Sequence, residues 1–343
     1  MKSWQYLLPF FFPCLLAAQD LPTPIVGQLF AQPGINNGSP GRGFNIEYER
    51  QPRFKLAGGA MDGNENGKNE VEAKERFEAK LKFPLVRKNE WKVLGDIYHS
   101  FERYYFESID SASLYAFQPL DGKMLRRTRL TGYIFKSISA KRYLALRIEA
   151  SSNGKYNSIA KFQRRYMVYR ASAVLGIKKN DDTELGLGVT FNDNFGRLTA
   201  FPFALFNHNF NERWGLETLL PIRYKLRHNV NERNLFSIAA EYWSSAYSLD
   251  LLTPGETAPH EYIFKNASAQ FFVEWETNKM SSWTWFALRG GYSYNFNSRF
   301  VLPGTRNDGR IDAFPSSSVF ISAAFFLAPP KAYIQANSSK EKL

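Results

Sequence analysis

The chain has 343 residues, with 44 Lys and Arg against 32 Asp and Glu, a formal net charge of +12, 16% aromatic residues and one cysteine. That cysteine, Cys14, lies in the N-terminal apolar run, so a chain trimmed after the run has no disulfide, zinc–thiolate site or cysteine nucleophile. No later stretch approaches the ~18 consecutive apolar residues of a transmembrane helix. The mean hydropathy of −0.37 does not exclude a membrane β-barrel, whose strands are apolar at only every second residue.

Lys2, the run from Tyr6 to Leu16 and the small pair Ala17-Ala18 read as a secretory signal peptide, residues 1–18. Phe11-Phe12-Pro13 are not the small residues a lipoprotein cysteine needs before it, so Cys14 is not assigned that role. Residues 19–42, rich in Pro, Gly and Asn, read as an irregular periplasmic leader. Residues 43–328 are expected to form the folded unit, and 329–343 a polar tail.

Within the folded unit, strands follow one another. Gly41 to Leu56 alternates Phe44, Ile46 and Tyr48 with Asn45, Glu47 and Glu49. A polar loop at 57–70 leads to Phe77, Ala79, Leu81, Phe83 and Leu85, and the turn Arg87-Lys88-Asn89-Glu90 to Trp91, Val93 and Ile97. A long connection at 104–121 precedes strands at 122–136 and 142–150; Arg126 and Arg127 fall on opposite faces of the first. After a loop at 151–161, the clearest hairpin runs from Phe162 to Phe191 around Lys178 to Thr183. Met167, Tyr169, Ala171, Ala173, Leu175 and Ile177 share one of its faces. At about 3.3 Å per residue, Met167 to Ile177 covers roughly 33 Å; tilted by about 40°, this is roughly the 25 Å of a bilayer's apolar band. Further strands follow at 198–206, 214–220, 222–226, 236–242, 271–275, 283–295 and 319–327, with loops at 248–261 and 297–315.

Pro221 breaks what would otherwise be one strand, because proline cannot donate to a ladder. With that break, short turns near 87, 138, 180, 210, 231 and 279 share one rim and long loops near 62, 112, 156, 254 and 306 the other. The pattern specifies an all-β, antiparallel up-and-down transmembrane β-barrel of about 12–14 strands, even in number, with both termini on the periplasmic side. The competing architecture, a soluble secreted β-sandwich binding protein, requires shorter strands.

On the non-apolar faces, Arg147, Glu149, Arg170, Glu184, Glu217, Glu241, Glu274, Glu276 and Arg289 form a candidate lumen charge network. They either fill a narrow interior by pairing or form a selective constriction. Trp91, Tyr169, Trp214, Trp275, Trp283, Tyr292 and Tyr294 are candidates for interfacial aromatic girdles. The four histidines do not assemble a catalytic or metal motif. His99 and Ser100 are consecutive in a strand and so face opposite sides; His208 and His228 fall at turns and His260 in a loop, as solvated residues. No catalytic, cofactor-binding or metal residue is assigned, and no cofactor is expected.

The turns Arg87-Lys88-Asn89-Glu90-Trp91 and Phe210-Asn211-Glu212-Arg213-Trp214, then Leu219-Leu220-Pro221, Trp283-Thr284-Trp285 and Gly290-Gly291-Tyr292, resemble a bacterial outer-membrane β-barrel family described only as domain of unknown function 6268. The resemblance runs over most of the chain after residue 40. It implies the fold and the compartment and transfers no catalytic residues. Phe325 and Phe326 lie before a polar tail, whereas many such barrels end on an aromatic that the insertion machinery recognises. The expected role is a non-enzymatic, porin-like barrel of the Gram-negative outer membrane, a narrow solute channel or a structural wall. An outer-membrane lipid-acting enzyme is the alternative. Outer-membrane lipids, the barrel insertion machinery and small solutes are the expected partners; nucleic acid is not.

Overall fold

The computed structural model describes residues 31, 33–58, 68–88, 90–278, 282–304 and 309–330. The signal peptide and the polar tail from residue 331 onward lie outside them.

Antiparallel pairing in chain order builds the wall: β1 Phe44–Gly58, β2 Lys68–Lys88, β3 Trp91–Ser108, β4 Met124–Ser137, β5 Arg142–Lys155, β6 Met167–Asn180, β7 Thr183–Asn194, β8 Arg197–Asn209, β9 Trp214–Leu220, β10 Arg223–Asn231, β11 Asn234–Leu251, β12 His260–Thr277 and β13 Thr284–Val301. The last strand, β14, runs in two segments, Ile311–Pro315 and Ser318–Leu327, both held between β13 and β1. Asn45 opposite Phe326 and Arg50 opposite Ile321 close the sheet on itself. Fourteen strands therefore form a closed barrel that leaves no free sheet edge at this seam.

Alternation sets inside against outside. On β11, Leu235, Ser237 and Ala239 are buried while Phe236 and Ile238 are exposed. The outside carries a band of exposed aliphatic residues that includes Ile148, Leu187, Ile238, Val273 and Ile321. The inside is polar in mid-barrel: Glu47, Glu49, Glu102, Glu149, Glu274 and Arg227 are buried. A soluble protein distributes these the other way round.

The rims follow the expected parity. Pro221 and Ile222 form the turn between β9 and β10, so the chain reverses there. Several strands run further than alternation indicated. β5 continues through Ser151-Ser152-Asn153-Gly154 and β14 begins at Ile311, inside stretches expected to be loops. Small polar residues give no apolar alternation, but in a closed barrel they face a polar interior and keep their ladder. The connection at 104–121 is likewise part strand, since β3 reaches Ser108, and part helical turn at Ser111–Ser113 and Leu114–Phe117.

That helical turn enters the long-loop mouth. Phe117 and Leu120 bury against Phe54, Leu56, Leu249, Phe264 and Phe300. Asp110 caps the turn at Ala112 N, and Asn69 Oδ1 accepts from both Asp110 N and Ser113 Oγ at 2.8 Å. An apolar core thus seals this end of the lumen.

Candidate functional site: the barrel interior

The opposite mouth is crossed by the leader. Ala31 N donates to Ser139 O at 2.9 Å, at the β4–β5 turn. Gly34 N donates to Glu184 Oε1 and Asn36 N to Asp181 O, both at 2.9 Å. Asn209 and Asn229 donate to the Asn36 and Asn37 carbonyls. Ser39 N reaches Glu217 Oε1 at 2.9 Å, and Arg42 Nη2 meets Glu276 at 2.6 Å and Glu274 at 3.0 Å before β1 begins. The leader's described residues, 31 and 33–42, span the short-turn mouth on bonds to lumen-facing side chains and rim carbonyls. No sheet ladder holds these described residues.

Above the leader, the charges form two groups. One is balanced: Glu47, Glu274 and Glu276 face Arg42, Lys225 and Arg289, with Arg289 Nε on Glu274 at 2.6 Å and Lys225 Nζ on Glu274 at 2.9 Å. The other, on β2 to β6, is not. Glu149 alone receives Arg147 at 2.5 Å, Arg170 at 3.6 Å and Arg129 at 3.9 Å, while Asp96 takes Arg129 and Lys80.

Arg147, Glu149 and Arg170 share one cluster, and Glu274, Glu276 and Arg289 the other. Glu184 accepts from Tyr143 Oη at 2.5 Å, Glu217 pairs with Arg227 at 3.0 Å, and Glu241 lies on the inward face of β11. Sequence reasoning missed Arg42, Glu47, Glu49, Arg76, Asp96, Glu102, Arg129, Lys225 and Arg227. Glu47 and Glu49 were legible as the polar half of β1; Arg42 was not, because it reaches the lumen from outside any strand.

The aromatic candidates sit at two levels. Trp91, Trp214, Trp275 and Trp283 lie at or beside the short-turn rim, whereas Tyr169 lies at the long-loop end of β6 and Tyr292 and Tyr294 lie about the middle of β13, all three about half exposed. Among the histidines, His99 points outward and bonds Thr128 Oγ1 at 2.8 Å while Ser100 is buried inside. His208 and His228 belong to β8 and β10 rather than to turns, and His260 opens β12. His208 packs edge-on to Phe210 at 5.1 Å and His228 lies 4.3 Å from the Trp214 ring. A histidine beside Asn and Arg reads as turn; ladder pairing of His208 with Thr183 and of His228 with Trp214 keeps both in the sheet. No cluster of three metal-ligating side chains exists among the described residues.

One region departs from a simple barrel. β9 and β10 are short, so the β8 stretch Arg197 to Phe203 has no partner on its β9 side and β11 has none on its β10 side beyond Tyr242. β11 turns inward there and touches β5 in a parallel bridge, Ser248 opposite Gly154. The outward-facing Ile263 and Ala246 then lie under Val168 and Phe195, covered by β6 and the β7–β8 turn. A polar crevice of about 240 Å³ lies between the inner face of β4–β8 and the outer face of β11–β13. Gly154 permits this seam: a Cβ there would meet Ser248 O at 2.8 Å and the Tyr166 ring. Gly154→Val is therefore expected to lower stability by about 1–3 kcal/mol through overpacking, read as a shift of the urea midpoint in detergent. An unshifted midpoint would contradict the seam.

Closure, an apolar exterior and an ion-paired polar interior together define an outer-membrane β-barrel. The domain-of-unknown-function family DUF6268 matches residues 27–300, and the chain belongs to it. No curated protein matches the chain in sequence. Among solved structures, the COG4313 outer membrane channel from Pseudomonas putida F1 is similar at 8% identity, over 87% of this chain and 99% of that one, with a TM-score of 0.43. The Pseudomonas putida toluene transporter TodX is similar at 10% identity over 87% and 99%, TM-score 0.29. A Pseudomonas aeruginosa FadL homologue is similar at 8% over 82% and 89%, TM-score 0.31.

Proposed function

We propose that this barrel is a narrow solute channel of the outer membrane, closed in this conformation at both mouths. The carrying observation is the leader. It lies across the short-turn mouth on hydrogen bonds and three arginine–carboxylate contacts, with a polar, charged lumen behind it. A segment held this way can withdraw without breaking the wall, because every strand keeps its ladder. The charge clusters then act as the constriction that selects solutes. A purely structural wall protein is the second reading, favoured by how fully the Glu274 cluster is paired. A lipid-acting enzyme is disfavoured by His99 and Ser100 facing opposite sides of β3.

The same reading assigns Trp91, Trp214, Trp275 and Trp283 to the girdle at the periplasmic interface and Tyr169, Tyr292 and Tyr294 to the outer one, both against membrane lipid. The final segment Ser318–Leu327, with Phe325 and Phe326, is the element offered to the insertion machinery.

Conductance in planar bilayers tests the channel. The full mature chain is expected to stay mostly closed, and a chain lacking residues 33–42 to open readily. A heat-dependent mobility shift on a denaturing gel must first show that both are folded. A folded, truncated barrel that remains silent would turn the conclusion to the structural wall.

A further inference from the structure

The crevice beside the β5–β11 seam carries a surplus of positive charge. Arg127, Arg170, Arg197 and Lys265 line it, against one carboxylate, Glu149. That carboxylate is already shared with Arg147 and Arg129. The side chains of Arg197 and Lys265 make no ion pair or hydrogen bond with any other described residue, and the Arg127 guanidinium lies 5.6 Å from the Tyr247 ring, in a direct ion pair with neither Glu102 nor Glu149 though both carboxylates act on it. All three are partly buried. Cations gathered in a half-enclosed space without counter-charges repel one another and lose hydration, a cost that a bound anion offsets. In the balanced group around Glu274, by contrast, the protein supplies its own anions.

Geometry gives the crevice a route in. Arg197 and Thr199 stand on the unpartnered edge of β8, and Tyr242 and Ser244 on the stretch of β11 where pairing to β10 ends. These are the two sides of the notch left by the short β9–β10 hairpin, so the crevice opens sideways through the wall.

We propose that this crevice is a binding site for an oxyanion, a phosphate or carboxylate group, held by Arg127, Arg197 and Lys265 and reached through the notch between β8 and β11. The anion is either free in solution or the head of an amphiphile whose tail lies in the notch. The site stands apart from the channel reading: it can bind in a barrel that never conducts.

Isothermal titration calorimetry of the full mature chain in neutral detergent tests it, with inorganic phosphate and hexyl phosphate as separate titrants. The variant is Arg197→Gln with Lys265→Gln, checked for folding by the heat-dependent gel shift. Saturable binding of at least one titrant is expected, weakened by about tenfold or more in the variant, as loss of charge-assisted hydrogen bonds requires. Hexyl phosphate binding more tightly than phosphate supports an amphiphile in the notch; equal binding supports a free anion. No saturable binding of either titrant, or binding that the folded variant retains in full, would overturn the site. Neither result depends on conductance. A silent barrel leaves the calorimetry unchanged, and absent phosphate binding leaves the leader-deletion result to decide the channel alone.

Discussion

Glu274→Ala is expected to destabilise the barrel by about 3–5 kcal/mol, the cost of removing one partner from a buried ion network. Glu274 is 1% exposed. It accepts from Arg289 Nε at 2.6 Å, Lys225 Nζ at 2.9 Å and Arg42 Nη2 at 3.0 Å. Without it, those three cations share Glu47 and Glu276. Arg289 keeps Glu47 at 3.1 Å and Arg42 keeps Glu276 at 2.6 Å, but Lys225 is left 4.0 Å from Glu276. A buried ammonium with only a distant, shared counter-charge is the costly state. Urea titration of the refolded barrel measures it. Glu256→Ala is the matched control: its contact with His260 is 3.3 Å long with both side chains about half exposed, so a change within about 0.5 kcal/mol is expected. Equal effects of the two substitutions would mean that water fills the lumen around Glu274. The same loss weakens one anchor of the leader, because Arg42 then holds it there on Glu276 and Glu47 alone.

How much of this was legible follows from what alternation encodes. It reports one strand's two faces, so Arg147, Glu149, Arg170 and Glu274 could be placed inside from their own neighbours in sequence. Pro221 could be placed at a reversal because its chemistry forbids a ladder bond there. Alternation does not report which inward residues meet across the lumen. Glu102 with Tyr247 at 2.5 Å and Glu47 with Arg289 join strands far apart in the chain, and the rolling-up of the sheet brings them together. Arg127 was ambiguous because Arg126 stands beside it; pairing with Ser100 turns Arg127 inward and leaves Arg126 outside. The leader's insertion and the β5–β11 seam left no periodic signal at all. The first rests on irregular backbone donors such as Gly34 N and Ser39 N, the second on the absence of a side chain at Gly154.

Leu187→Arg is expected to cost about 2–4 kcal/mol when the barrel folds into a lipid bilayer, the penalty for arginine near the bilayer midplane on a lipid-facing position. Leu187 is 73% exposed on β7 and stands between Leu175 and Ala204 on the neighbouring strands. It lies four residues from the start of β7 at Thr183, or about 10 Å above the rim at 3.3 Å per residue and a tilt of about 40°. That is near the middle of a band about 25 Å tall. The side chain makes few contacts to lose, so the substitution isolates what surrounds it. In water, an exposed leucine changed to arginine moves stability by no more than about 0.5 kcal/mol. Urea titration in vesicles, set beside the same titration in detergent micelles, separates the two. A large cost in vesicles places hydrocarbon around Leu187, and with it around Ile238, Val273 and Ile321 on the same outer surface. A cost near zero in both media would put this face in water and return the alternation to a secreted β-sheet protein. Arginine deforms a micelle more readily than a bilayer, so the cost should fall on passing from vesicles to detergent; the reverse order would also contradict a lipid-facing Leu187.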